Sequence, residues 1–68
     1  MLDVHQLNVF LVAAETLNFT QAAQQLHMTQ PSVSQHIQYL ERHFDMQLFI
    51  RNGRNLELTD AGMALLLP

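Results

Sequence analysis

The sequence predicts a mostly α-helical domain: three helices, then a two-stranded β-hairpin and the first turns of a fourth helix. Three observations predict it. Residues 29–44 place Val33, Ile37, Leu40 and Phe44 at i, i+4, i+7 and i+11, which at about 100° per residue is one narrow apolar stripe. A second, shorter helical pattern ends only a few residues earlier, at His27-Met28. Asn52-Gly53, between two strand-like runs, is the strongest short-range hairpin signal a sequence carries.

Taken in order, Asp3 can cap a helix running to about residue 17. Val4, Leu7, Leu11 and Ala14, with Phe10 beside them, are its expected buried stripe, and Gln6, Asn8 and Glu15 lie away from it. This reads as a supporting helix. Asn18-Phe19-Thr20 interrupts the pattern, and Thr20 is the expected N-cap of a short helix over residues 21–27. Its inner side is Ala22, Ala23 and Leu26, small enough for a neighbouring helix to approach closely. Two helices joined by so brief a turn cross steeply, as a helix-turn-helix. In that arrangement the second helix projects its N-terminal end outward and fits the major groove of B-DNA.

Thr29 or Gln30 caps that second helix, and Pro31 suits its first turn, where a missing N–H costs nothing. Opposite the apolar stripe run Pro31, Gln35, Gln38 and Arg42, with Ser32, Ser34 and Tyr39 on the flanks. A solvated helix face usually carries Lys and Glu. A face of amides and hydroxyls, which both donate and accept, suggests recognition. The helix is expected to end at Asp45, which tolerates the left-handed conformation better than most residues. Residues 47–51 read as a strand, Asn52-Gly53 as a type I′ turn with positive φ at both positions, and residues 54–58 as the partner strand. Arg51 and Arg54 flank the tip. A hairpin of this kind behind a helix-turn-helix is a wing, so the fold class is a three-helix winged helix-turn-helix. Thr59 caps the last helix, through Asp60, Ala61 and Gly62.

Composition sets bounds. At 68 residues the chain is one small domain, and with 49% hydrophobic residues it can form a core but has little room for a second function. No cysteine is present, so disulfides and thiolate metal sites are excluded. No signal peptide or membrane-length apolar run is visible, and a cytoplasmic location is expected. The apolar run Leu65-Leu66-Leu67-Pro68 is expected to belong to a domain cut from something longer. The formal charge of −3 sets six acids against Arg42, Arg51 and Arg54, with no lysine, and taken alone argues against a nucleic-acid partner.

The runs FTQAAQQL, TQPSVSQHIQYLE, LFIRNGR and LTDAG, with Leu7 and Phe10 before them, resemble the N-terminal winged helix-turn-helix domain of LysR-type transcriptional regulators. The pieces are weak singly and specific together, because they follow the family's order and spacing across almost the whole chain. The resemblance implies sequence-specific binding of double-stranded DNA, with a recognition helix at about 31–44 in the major groove and a wing at about 48–58 on the backbone or minor groove. Residues 1–58 would form the DNA-binding domain, and 59–68 would begin a linker helix through which full-length copies form a dimer or higher oligomer. It further implies that a small-molecule effector belongs to a C-terminal domain absent from this chain, with no cofactor in the domain at hand. Carried over position by position, the family's contacts fall on Gln30, Pro31, Ser32, Ser34 and Gln35, with Arg51 and Arg54 on the wing and Thr20 reaching phosphate. Thr29 and Gln38 complete the candidate set. The sequence departs from the family pattern at Asp45, where Gly is common, at Leu17-Asn18, which replaces a frequent Gly-Ser, and at Ala13, where Val is common. A basic residue frequent near Gln35 is also missing, so base preference is expected to differ.

Each candidate has a plainer reading. Gln35 and Gln38 could be solvated, yet Gln bonds bidentately to adenine N6 and N7, and Gln35 is the stronger contact candidate. Ser34 is expected to position on phosphate. Arg42 near the helix end can complement the macrodipole. His5, His27, His36 and His43 suggest a metal, but His36 and His43 are seven apart rather than four, and partly packed histidines are the preferred reading. A winged helix serving protein contact is the competing function, which the acidic charge and apolar tail would suit. An enzyme is not expected, since no nucleophile–base arrangement can be placed. With few basic side chains, helix N-termini must supply other phosphate donors, so weak binding and a shallow salt dependence are expected of the isolated domain.

Overall fold

The computed structural model describes residues 3–67. The elements in chain order are α1 (Val4–Thr16), α2 (Phe19–Leu26), α3 (Gln30–Phe44), β1 (Phe49–Asn52), β2 (Asn55–Leu58) and α4 (Asp60–Leu66). The three long helices pack against one another, and the antiparallel hairpin closes one side of them. This is the winged helix-turn-helix that the sequence predicts.

Each helix begins on a side-chain cap that takes up a backbone N–H left free by the missing preceding turn. Asp3 accepts from the Gln6 N–H at 2.8 Å, Thr29 from Ser32 at 3.3 Å and Thr59 from Gly62 at 3.0 Å. α2 differs from expectation. Its cap is Asn18, whose Oδ1 accepts from the Gln21 N–H at 3.0 Å, and the helix starts at Phe19, leaving Thr20 exposed in the first turn. Asn caps at least as well as Thr, and starting earlier turns Phe19 inward against the Phe49 ring, with centroids 5.3 Å apart. α1, α2 and α3 all end on a left-handed residue, Leu17, His27 and Asp45, none of them glycine.

The core consists of Val9, Phe10 and Ala13 of α1, Ala22 and Ala23 of α2, Val33, Ile37 and Leu40 of α3, and Leu48, Phe49 and Leu56 of the hairpin region. The expected stripe of α1 is therefore corrected. Val4 is 83% exposed, Leu11 45% and Leu7 37%, while Phe10 and Val9 are sealed and Gln6, expected outside, is half-buried. α1 is apolar nearly all round, so two helical stripes compete. The one containing Phe10 prevails because its ring fills the space between the helices and meets Phe49, with centroids 5.6 Å apart.

The hairpin is also shifted from expectation. Gln47 and Leu48 precede the strand, and the register pairs Phe49 with Leu58, Arg51 with Leu56 and Asn52 with Asn55. The two turn residues are Gly53 and Arg54, and only Gly53 has positive φ, at 65°. Glycine with positive φ at the first central position marks a type II′ turn rather than type I′. An Asn52-Gly53 turn would have set Arg51 directly opposite Arg54, and like charges in that position repel. The observed register instead sets Phe49 beside Leu58, on the face turned to the core.

α4 docks on the hairpin root. Thr59 donates its hydroxyl to the Gln47 carbonyl at 2.6 Å and its N–H to the Leu48 carbonyl at 3.1 Å. Gly62 is buried there, and a Cβ on it would collide with the Leu48 carbonyl and come within 2.8 Å of a Leu58 methyl. Leu65 packs against the core, while Leu66 and Leu67 are exposed. Met1, Leu2 and Pro68, which belong to the expected segments 1–58 and 59–68, lie outside the described residues.

Candidate nucleic-acid interface

The polar face of α3 divides into two parts. Along its outer ridge, Pro31 and Gln35 are exposed, with Ser32 half-buried beside them. Gln35 is exposed, which leaves its amide open to a ligand. On the flank toward the hairpin, Gln30, Ser34 and Gln38 line a groove with Glu41, Ile37 and the β1 residues Phe49, Ile50 and Arg51. Gln30 and Ser34 already hold each other, with Gln30 Nε2 donating to Ser34 Oγ at 2.7 Å. That bond leaves the Ser34 hydroxyl proton and the Gln30 carbonyl oxygen for an outside partner.

A second concave site lies where the helix-turn-helix meets the wing. Arg51 and Arg54 line it together with Asn18, Phe19, Thr20 and Gln30, besides Leu17 and Leu56. Thus Thr20, one helix away from α3, shares a site with the wing arginines and the first residue of α3. The six carboxylates of the chain lie elsewhere: Asp3 and Glu15 on α1, Glu41 and Asp45 at the far end of α3, Glu57 opposite Ile50, and Asp60 on α4. Two guanidinium groups with no carboxylate among the lining residues form a local cationic patch on a chain of net charge −3. The N-terminus of α2 adds its own partial positive charge.

The two groups of candidates meet at Gln30 and Arg51. Thr20, Gln30, Arg51 and Arg54 share one site, and Gln30, Ser34, Gln38 and Arg51 share the other. Thr29, Pro31, Ser32 and Gln35 line neither, and Thr29 is engaged as a cap. Two further residues shape the region. Asn18 sets the start of α2, and Glu41 accepts the backbone N–H groups of Leu48 and Phe49 at 2.8 and 3.3 Å. No local spacing rule links a helical carboxylate to a loop seven and eight residues ahead.

Of the histidines, His36 is half-buried, its ring edge-on to His5 with centroids 5.1 Å apart. His43 is exposed, but its ring meets that of Phe44 edge-on at 5.0 Å and stacks loosely on Tyr39 at 6.5 Å. Among the described residues no three potential ligands gather to hold a metal. Among them, too, no helix is long and apolar enough to cross a membrane.

Residues 4–63 match the family of bacterial regulatory helix-turn-helix proteins, lysR family. The chain belongs to the LysR family. Over 65 residues it is 48% identical to an HTH-type transcriptional regulator from the ibpB-leuC intergenic region of Azotobacter vinelandii, covering 96% of this chain and 45% of that protein. Its fold matches the crystal structure of a LysR-family transcriptional regulator from Eggerthella lenta with a TM-score of 0.89 at 48% identity, covering 96% of this chain and 91% of the other. The DNA-binding domain of CbnR, in complex with DNA, matches with a TM-score of 0.88 at 38% identity, covering 96% and 75%. The chain spans less than half the length of the curated relatives it matches.

Proposed function

We propose that this LysR-family domain binds double-stranded DNA sequence-specifically, as the reading part of a longer transcriptional regulator and not as an enzyme. α3 enters the major groove through its N-terminal half, with Gln35, Gln30 and Pro31 at base edges and Ser32, Ser34 and Gln38 beside them. The hairpin reaches the flanking backbone or minor groove with Arg51 and Arg54. Thr20 and Thr29 contribute phosphate contacts at the starts of α2 and α3. The observation that carries this reading is the carboxylate-free site at which both wing arginines, Thr20 and Gln30 meet. It allows an acidic chain to meet a polyanion at one place, and CbnR, of like fold, occurs in complex with DNA.

In the same reading, residues 1–58 are the DNA-binding unit and residues 59–68 begin a linker helix that joins copies into a dimer or higher oligomer. The exposed apolar residues of α1 and α4, Val4, Leu7, Leu11, Met63 and Leu66, support such an association. Joining domains raises the effective concentration at a second half-site and so compensates for the few cationic contacts of one domain. An effector-binding domain responding to a small molecule completes the regulator, which works in the cytoplasm.

Selection from a randomised duplex library tests the function. The chain is expected to enrich a defined half-site, and Gln35→Ala to relax preference at one position of it, at a cost of about 1–3 kcal/mol in discrimination. A library that emerges unenriched, with the domain joined into a dimer, would favour a protein partner instead.

A further inference from the structure

Glu41 lies on the flank of α3 that faces the hairpin, half-buried beside Gln38, Gln47 and Ile50. A carboxylate in a groove meant for a polyanion needs a reason. Its Oε2 accepts the N–H of Leu48 at 2.8 Å and of Phe49 at 3.3 Å, while its main-chain carbonyl accepts the N–H of Met46 at 3.0 Å. One residue thus holds both ends of the turn from α3 into β1, and two charge-assisted bonds direct its charge at the protein's own backbone. Across the same segment, Thr59 binds the carbonyls of Gln47 and Leu48. The root of the wing is clamped between α3 and the cap of α4.

Apolar contacts of Leu48 and Phe49 hold the root at the right distance, but such contacts are not directional. Hydrogen bonds are. Gly53, at the tip, lies four residues beyond Phe49, about 13 Å along the strand, so a rotation of only about 10° at the root moves the tip by about 2 Å. That is enough to carry a guanidinium out of hydrogen-bonding reach of a phosphate. We propose that Glu41 is a positioning residue for DNA binding: its carboxylate fixes the angle of the hairpin against α3, so that Arg51 and Arg54 engage the same duplex that α3 reads. This rests on the DNA-binding reading above.

The test uses this chain, a labelled mixed-sequence DNA duplex, and fluorescence anisotropy in rising salt. Replacing both arginines, Arg51→Ala with Arg54→Ala, is expected to lower the magnitude of the log–log salt slope by about 1.8, the share of two phosphate contacts. Glu41→Ala lowers it by a similar amount although it removes a negative charge, and adding it to the arginine pair lowers it no further. Glu41→Gln, whose amide oxygen can take both N–H groups, keeps the slope. Glu41→Asp keeps the charge but falls one methylene short and loses the slope, so it serves if the alanine variant does not fold. A folded Glu41→Ala or Glu41→Asp with unchanged slope, or losses that add to those of the arginines, would overturn the proposal. Amide hydrogen exchange provides a readout without DNA. Leu48, Phe49 and the hairpin N–H groups are expected to exchange several-fold faster in Glu41→Ala and Glu41→Asp than in the unaltered chain or Glu41→Gln. Unchanged exchange overturns the proposal, whereas failure of the unaltered chain to bind DNA overturns only the reading on which it rests.

Discussion

Gly62→Ala separates two reasons for which a small helical domain keeps a glycine. In an exposed helix the change would stabilise, since Ala is favoured over Gly by about 0.5–1 kcal/mol. Gly62 is buried, however, and an added Cβ meets the backbone carbonyl of Leu48 and a Leu58 methyl at 2.8 Å. The carbonyl cannot yield alone, because it accepts the Thr59 N–H at 3.1 Å. Either α4 lifts from the hairpin root or the root shifts. Overpacking of this kind costs about 1–3 kcal/mol. Weakening the Thr59 bonds to Gln47 and Leu48 adds about 1 kcal/mol for each bond lost. After the propensity gain, a net loss of about 1–4 kcal/mol remains. For a domain of this size each kcal/mol lowers Tm by about 4–8 °C. Gly53→Ala is the matching control: at φ 65° it has nothing within 4 Å, so it is expected to lose about 1–2 kcal/mol through backbone strain alone. Thermal and urea melts report both. A Gly62→Ala domain as stable as the parent would refute the close docking of α4, and with it the clamp on the wing root.

Other predictions follow from the caps and the core. Leu17→Gly and Asp45→Gly, each at a left-handed position with φ of 50° and 54°, are expected to stabilise by up to about 1 kcal/mol, read as a raised urea midpoint. Asn18→Ala should cost about 1 kcal/mol of stability, whereas Thr20→Ala should leave the melt unchanged and weaken only DNA binding; the reverse pattern would restore Thr20 as the cap. Phe10→Ala is expected to lose about 3–5 kcal/mol, and Leu11→Ala, 45% exposed, well under 1 kcal/mol, in the same urea titration.

The order and type of every element could be read from the chain, because caps and periodicity act locally. Thr29, Asp45 and Thr59 behave as their neighbours in sequence dictate. The buried face of α1 could not be read in this way, since Val4, Leu7 and Leu11 repeat as regularly as Val9, Phe10 and Ala13. Only the shapes of α2, α3 and Phe49 decide between the two stripes. At Asn18-Phe19-Thr20 two capping residues stand two apart, and the burial of Phe19 settles which one serves. In the hairpin, Asn52-Gly53 and Gly53-Arg54 are both plausible turns, and cross-strand partners that the turn cannot sense select between them. The candidate contacts on α3 were legible as a polar face, but the convergence of Thr20 with Arg51 and Arg54 follows from tertiary packing. So does Glu41, whose partners belong to the next element.

The most direct test is a fluorescence anisotropy titration of the unaltered chain against duplex DNA in rising salt. Two wing arginines, with helix N-termini as the remaining phosphate donors, predict binding at low salt that weakens with a log–log slope of about −2 to −3. No binding at low salt, or a slope of about −6 or steeper, would contradict the account, because the fold brings too few cations to this face to release so many ions.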